Sequence, residues 1–145
     1  MPLHIEWIES PSAQDWIDLD KLYKDAPHHW FADQTVAGAQ GYMGHKKELG
    51  YKVAVGRFND RLIAAAALQP YEDKAHGHNG FELEDLCVRS ITQNRGVARQ
   101  LMVRICQWAD EHNHGLWVED LSCLYKVLED YQFSYTDGRW QRRSK

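Results

Sequence analysis

The sequence predicts an α/β fold: a mixed central sheet of six to seven strands flanked by about four helices, in one domain of 145 residues. Three observations carry this reading. Residues 51–58 and 61–68 are apolar-rich runs separated only by Asn59-Asp60, a two-residue link suited to a tight hairpin because Asn and Asp tolerate left-handed backbone angles. Val97, Leu101, Ile105, Trp108 and Ala109 advance by helical steps and share one face. On either side of these elements, strand-like and helix-like segments alternate.

In chain order, "LHIEWIE" (3–9) alternates as a strand, with Leu3, Ile5 and Trp7 toward one side. A helix follows in residues 10–27, where Ser12 and Asp15 form a capping-box pattern, Trp16, Leu19 and Leu22 or Tyr23 recur at helical spacing, and Pro27 stops it. Residues 28–50 hold no sustained period and read as loop with a short helix. After the 51–68 hairpin, the polar stretch 69–80 reads as a connection. "FELEDLCVRS" (81–90) is a strand with one acidic side carrying Glu82 and Glu84. The helix over 97–112 follows, then a short strand in "GLWVED" behind Gly115, a helix over about 121–131, and a final strand through "SYTDGRWQRR". No internal repeat or low-complexity tract interrupts the chain.

The totals exclude several classes. A net charge of −4 argues against a general nucleic-acid binder, although Arg57, Arg61, Arg89, Arg95 and Arg99 leave room for local basic patches. Three scattered cysteines, Cys87, Cys106 and Cys123, with no Cys-x-x-Cys pair, give neither a disulfide frame nor a zinc pattern. Reduced thiols and the acidic N-terminal stretch point to a cytoplasmic protein, and no run approaches the roughly 18 apolar residues of a membrane span. His28, His29, His45, His76, His78, His112 and His114 lack the helical His-x-x-x-His spacing of a metal site, so no metal is expected and solvated loop histidines are the default. Of the six tryptophans, those at helix or strand periodicity are expected in the core, with Trp30 a candidate for a binding surface.

The chemistry concentrates in "SITQNRGVARQL" (90–101), where Gln93, Gly96 and Ala98 sit at a strand-to-helix turn. The first N–H groups of a helix lack intrahelical partners, and the aligned peptide dipoles leave partial positive charge there. An anion such as a pyrophosphate satisfies both. Gly96 removes a Cβ from its approach, Ala98 keeps the first turn open, and Arg95 and Arg99 add charge.

That turn, with the strand and helix order around it, resembles the GCN5-related N-acetyltransferase (GNAT) family across nearly the whole chain. The resemblance implies that Thr92, Gln93, Asn94, Arg95, Gly96, Val97, Ala98 and Arg99 surround the pyrophosphate of acetyl-CoA or CoA. It also implies that Leu86, Cys87 and Val88 pair their backbone with the pantetheine arm. Acetyl transfer in that family uses a base, for which Glu82, Glu84 and Asp85 stand available, and commonly a tyrosine acid on the last helix. Here "VLEDYQF" (127–133) places Val127 and Leu128 where Phe-Tyr would stand, and neither Tyr125 nor Tyr131 points from the Leu128 position. No catalytic residue is therefore certain.

Within the family, "VAVGRFNDRLIAAA" (53–66), "LEDLCVRSITQNRGVARQLM" (83–102), "IDLDKLY" (17–23) and "GRW" (138–140) resemble the PanZ (PanM) branch. Its members bind acetyl-CoA or CoA and act on aspartate 1-decarboxylase, promoting self-cleavage of the precursor and restraining the mature enzyme. The resemblance implies Arg57, Asn59 and Gln93 as partner-facing residues, with no nucleic acid or membrane involved. Gln93 stands where the branch has arginine, which puts a salt bridge at that position in doubt. Three readings remain open: such a regulator, a true N-acetyltransferase for a small amine or peptide N-terminus using Glu82 or Glu84, and a CoA-binding module with another partner. On the plainer reading, Arg57 and Arg61 form a solvated hairpin tip and Glu82 and Glu84 a solvated strand face.

Overall fold

The structure is a computed structural model, and it describes residues 3–24, 38–74, 77–89, 96–119, 125–136 and 139–142. Among these, the elements run β1 (His4–Trp7), α1 (Ala13–Lys24), α2 (Gly38–Glu48), β2 (Lys52–Phe58), β3 (Arg61–Asp73), β4 (His78–Val88), α3 (Val97–Glu111), β5 (Gly115–Glu119), α4 (Tyr125–Asp130), β6 (Ser134–Thr136) and β7 (Arg139–Arg142). The sheet has seven strands in the order β1-β2-β3-β4-β5-β7-β6. All neighbours are antiparallel except β4 and β5, which are joined through α3 as a parallel crossover.

The middle strands are buried on both faces, which is why "AAAAL" reads as an unbroken apolar run rather than an alternation. One layer of core joins α3, through Val97, Leu101, Met102, Ile105, Cys106 and Ala109, to Ala54, Leu68, Leu83 and Leu116. The opposite layer seats Leu19, Leu22 and Tyr23 of α1 and Tyr42 and Met43 of α2 on Val53, Val55 and Leu62. The α3 stripe predicted from spacing is buried apart from Trp108, which is half-buried and packs on Trp7 at 4.6 Å between ring centres.

The capping box is present: Asp15 N–H donates to Ser12 Oγ at 3.1 Å, and Ser12 N–H donates to Asp15 Oδ2 at 3.2 Å. The Asn59-Asp60 link turns with φ of 49° and 63°, both left-handed, as a two-residue hairpin of this twist requires. Residues 25–37, including Pro27, His28, His29 and Trp30, lie outside the described residues.

Two expectations need correction. Residues 69–80 are largely not a connection: β3 runs on to Asp73 and β4 begins at His78, with Tyr71 opposite Gly80 and Asp73 opposite His78. A backbone ladder needs no apolar side chains, so a polar hairpin arm carries no period-two signal. The final strand is two, β6 and β7, paired antiparallel with Tyr135 opposite Trp140.

Candidate functional site

The described site residues lie along β4 and at the start of α3. β5 starts tightly against β4: a Cβ on Gly80 would lie 1.9 Å from the Gly115 carbonyl oxygen, so only glycine permits this approach. Among the described residues the parallel register runs from Gly80–Gly115 to Leu83–Val118. β4 continues along β3 to Val88 through a bulge, three steps from Glu84 to Cys87 against two from Ala67 to Ala65. Asp85 takes a left-handed φ of 55° within it. Beyond the bulge, the Cys87 thiol is buried on the α1 side and donates to the Leu22 carbonyl at 3.3 Å. Leu86 and Val88 pack against the α3 layer.

At the start of α3, Gly96 has φ 77° and no side chain caps the helix. Among the described residues, a Cβ built on Gly96 would meet nothing within 4 Å. Gly96 is exposed, Val97 buried and Ala98 half-buried, and the first turn holds no acid. The helix's own first turn therefore supplies no carboxylate to compensate its polarity. Arg99 leans away along the helix: its Nη2 donates to Asp130 Oδ2 at 2.7 Å and its guanidinium lies over the Tyr131 ring at 5.4 Å. Thr92, Gln93, Asn94 and Arg95 lie outside the described residues.

The acidic side of β4 is neither bare nor simply solvated. Glu82 is 6% exposed and lies 2.7 Å from Arg139 Nη1 of β7. Glu84 accepts from Lys46 Nζ at 2.6 Å, and the same ammonium is 3.5 Å from Asp85 Oδ2. Tyr42 donates its hydroxyl to Asp85 Oδ2 at 2.6 Å. Lys46 also lies over the Tyr51 ring at 4.4 Å and near that of Tyr42 at 5.5 Å. Burial, followed by the charge of Glu84, pushes the Tyr51 phenol up to about 12. Burial, followed by the neighbouring Tyr23 and Asp85, raises Tyr42 still further. Tyr42, Lys46, Tyr51 and Arg139 were not singled out by sequence reasoning. The spacing of Tyr42 and Lys46, one helical turn apart in a segment read mainly as loop, was the available signal.

On α4, Leu128 is fully buried in the core beside Phe133, so that position offers no hydroxyl to a reacting group. The side chain of Tyr125 lies outside the description, and Tyr131 packs under Arg99.

The hairpin tip is held by α1 and β1. Arg57 donates from Nη2 to Glu6 Oε1 at 2.6 Å and from Nη1 to Asp15 Oδ1 at 2.9 Å, so its head group is committed within the chain. The Arg57 guanidinium is the main cause holding Asp15 below its ordinary carboxylate range. Arg61 grips Asp18 through Nε at 2.9 Å and Nη2 at 2.6 Å, while the buried N–H of Leu62 donates to Asp18 Oδ2 at 3.1 Å. Burial pushes the Asp18 carboxyl up, but these hydrogen bonds and that from Gln14 outweigh it and hold it below the ordinary value. Asn59 stands exposed at the tip. Arg57, Arg61 and Arg99 are thus each ion-paired and do not pool into a basic patch.

A groove of about 770 Å³ lies between the end of β1, α2 and the start of β2, lined by Trp7, Trp16, Met43, Lys47 and Tyr51 among others, and none of the sequence-predicted site residues faces it. Among the described residues no helix is long and apolar enough to cross a membrane, and no three His, Cys, Asp or Glu gather as a metal site.

Comparison with known proteins finds relatives along nearly the whole chain. The chain is 28% identical to a PanD regulatory factor of Salmonella typhimurium over 150 residues, covering 99% of this chain and all of that one. It is 26% identical to a PanD regulatory factor of Escherichia coli, with 98% and 99% covered. Among solved structures, YhhK from E. coli bound to coenzyme A superposes with a TM-score of 0.62 at 21% identity, over 99% of this chain and 100% of that one. The GNAT family N-acetyltransferase YhbS from E. coli in complex with CoA gives 0.68 at 17%, over 97% and 81%. These likenesses show the GNAT fold, and the family model described as "Acetyltransferase (GNAT) domain, PanZ" matches residues 2–122. A seven-stranded mixed sheet, a glycine turn opening α3 and a match of this extent lead to one assignment: the chain belongs to the PanZ family of GNAT domains.

Proposed function

We propose that this protein binds acetyl-CoA or CoA and, in that state, docks on aspartate 1-decarboxylase, promoting self-cleavage of the precursor and restraining the mature enzyme. The observation that carries the reading is the left-handed glycine turn that opens α3 at Gly96, with no acid in the helix's first turn, following a β4 that runs on to Val88. The N–H groups of Gly96, Val97 and Ala98 would hold the pyrophosphate, with Thr92, Gln93, Asn94 and Arg95 completing the turn. The backbone of Leu86, Cys87 and Val88 would line the pantetheine. Arg99 would meet the phosphates by exchanging Asp130, the carboxylate with which its head group is paired, for the ligand.

Asn59 is the hairpin residue offered to the partner, and Arg57 holds the tip against Asp15 so that Asn59 is presented in one orientation. Gln93 is the second contact proposed beside the phosphates. The names of the Salmonella and E. coli relatives support the choice of partner. Buried Leu128 supports a regulatory rather than catalytic role, because sensing needs no acid. If the partner prefers the liganded form, cofactor and partner strengthen each other's binding by the same factor.

The test is incubation of purified decarboxylase precursor with this protein, with and without acetyl-CoA, followed on a denaturing gel. Cleavage that depends on both is the expected result. No acceleration in the presence of saturating acetyl-CoA would refute the regulatory reading. A second reading, an N-acetyltransferase, is favoured by one observation, the contact of Glu84 with an ammonium at 2.6 Å. Transfer to members of an amine panel would establish it.

A further inference from the structure

Glu84 already holds an amine, and it belongs to this chain. Lys46 reaches from α2 with its side chain only 14% exposed, its Nζ 2.6 Å from Glu84 Oε1 and 3.5 Å from Asp85 Oδ2. The rings of Tyr51 and Tyr42 flank the ammonium at 4.4 and 5.5 Å. Glu84 is a base within hydrogen-bond reach of the proton it would remove, while Asp85 and the two rings hold the ammonium in place until that proton leaves. Asp85 is the left-handed residue of the β4 bulge and directly precedes Leu86, so the amine lies beside the segment proposed to line the acyl-bearing arm.

We propose that Lys46 is a self-acetylation site, its Nζ taking the acyl group of a bound acyl thioester with Glu84 as the base. The inference rests on the CoA-binding reading above. The ammonium first gives one proton to Glu84, which passes it to water. The Nζ lone pair then forms the C–N bond to the thioester carbonyl carbon, and the C–S bond breaks with its electron pair on sulfur. The second nitrogen proton ends on that sulfur, so the products are an amide, a thiol and one released proton, with nothing oxidised or reduced. Acetylation removes the cation between Glu84 and Asp85, so the modified protein keeps two carboxylates facing a neutral amide. The β4 bulge then carries a lasting mark of exposure to the thioester.

The test incubates the full-length protein with acetyl-CoA and follows intact mass and peptide mapping, with acetyl-CoA affinity measured in parallel by calorimetry. The expected result is one acetyl group, mapped to Lys46, absent in Lys46→Arg and formed about a hundredfold or more slowly in Glu84→Gln, the usual worth of a general base. Saturable acetyl-CoA binding without acetylation overturns this inference and leaves the CoA-binding reading standing. Acetyl groups scattered over other lysines, or an unchanged rate in Glu84→Gln, also overturn it. Absence of acetyl-CoA binding overturns both.

Discussion

Replacing Gly96 by alanine and by glutamate separates the two physical roles of the turn before α3. Its φ of 77° is left-handed, and a Cβ there meets nothing within 4 Å. Alanine therefore introduces backbone strain without a clash, about 1–2 kcal/mol. At about 2–4 °C per kcal/mol for domains of this size, Tm should fall by about 2–8 °C. The strain is present with and without ligand, so the alanine variant should lose CoA affinity only through its Cβ at the phosphates' approach, well short of the glutamate loss. Glutamate carries the same strain, relieved by about 0.3–1 kcal/mol from its charge at the helix start, so it should melt no lower than alanine. Toward a pyrophosphate the outcome reverses. Two like charges about 4 Å apart at an effective dielectric constant near 20 repel by about 4 kcal/mol. At 1.4 kcal/mol per decade, this is about a thousandfold weaker binding. Calorimetric titration with CoA and thermal melts of the three proteins give both quantities. A glutamate variant that keeps its affinity, or an alanine variant that loses as much as glutamate, refutes the placement of the phosphates at this turn.

The remaining predictions concern stability and reactivity. Asp18→Ala leaves the buried Leu62 N–H without its acceptor and should cost about 1–3 kcal/mol in urea unfolding, whereas Asp18→Asn, which keeps an acceptor oxygen, should cost less; equal losses would show that this N–H is not the main term. Asp15 and Asp18 are held below the ordinary value of 3.8, so the unfolded chain binds more protons than the folded one in acid. Their stabilisation should be complete above pH 3.8 and lost as pH falls through their folded values, and Asp15→Asn with Asp18→Asn should flatten that acid limb in pH-dependent unfolding. Burial raises the Cys106 thiol from 9.0 to about 11, so its thiolate fraction near neutrality falls about a hundredfold and alkylation by iodoacetamide should be slower by at least that factor than in denatured protein. Equal labelling rates, read by mass spectrometry, would count against its burial.

Several features were legible in the sequence because they are local. Ser12 and Asp15 cap α1 within one turn, Asn59-Asp60 sets the hairpin within two residues, and the α3 stripe repeats every three or four. Gly96 likewise declares its left-handed turn through the one residue type that adopts it without penalty. The missing hydroxyl at Leu128 was visible from motif position alone, and the structure adds that this side chain is core.

Tertiary structure decided what becomes of the charges. Arg57 meets Asp15 across 42 residues, Arg61 meets Asp18 across 43, and Lys46 meets Glu84 across 38. No spacing rule reaches so far along the chain. The sheet brings α1 and α2 onto one face of β2, β3 and β4, and only then do an arginine read as partner-facing and carboxylates read as solvated become closed pairs. The bulge at Asp85 has the same origin, because register depends on which strands meet and not on either strand's own pattern. Short-range backbone preference wrote the elements into the sequence; long-range packing chose the partners of their polar groups.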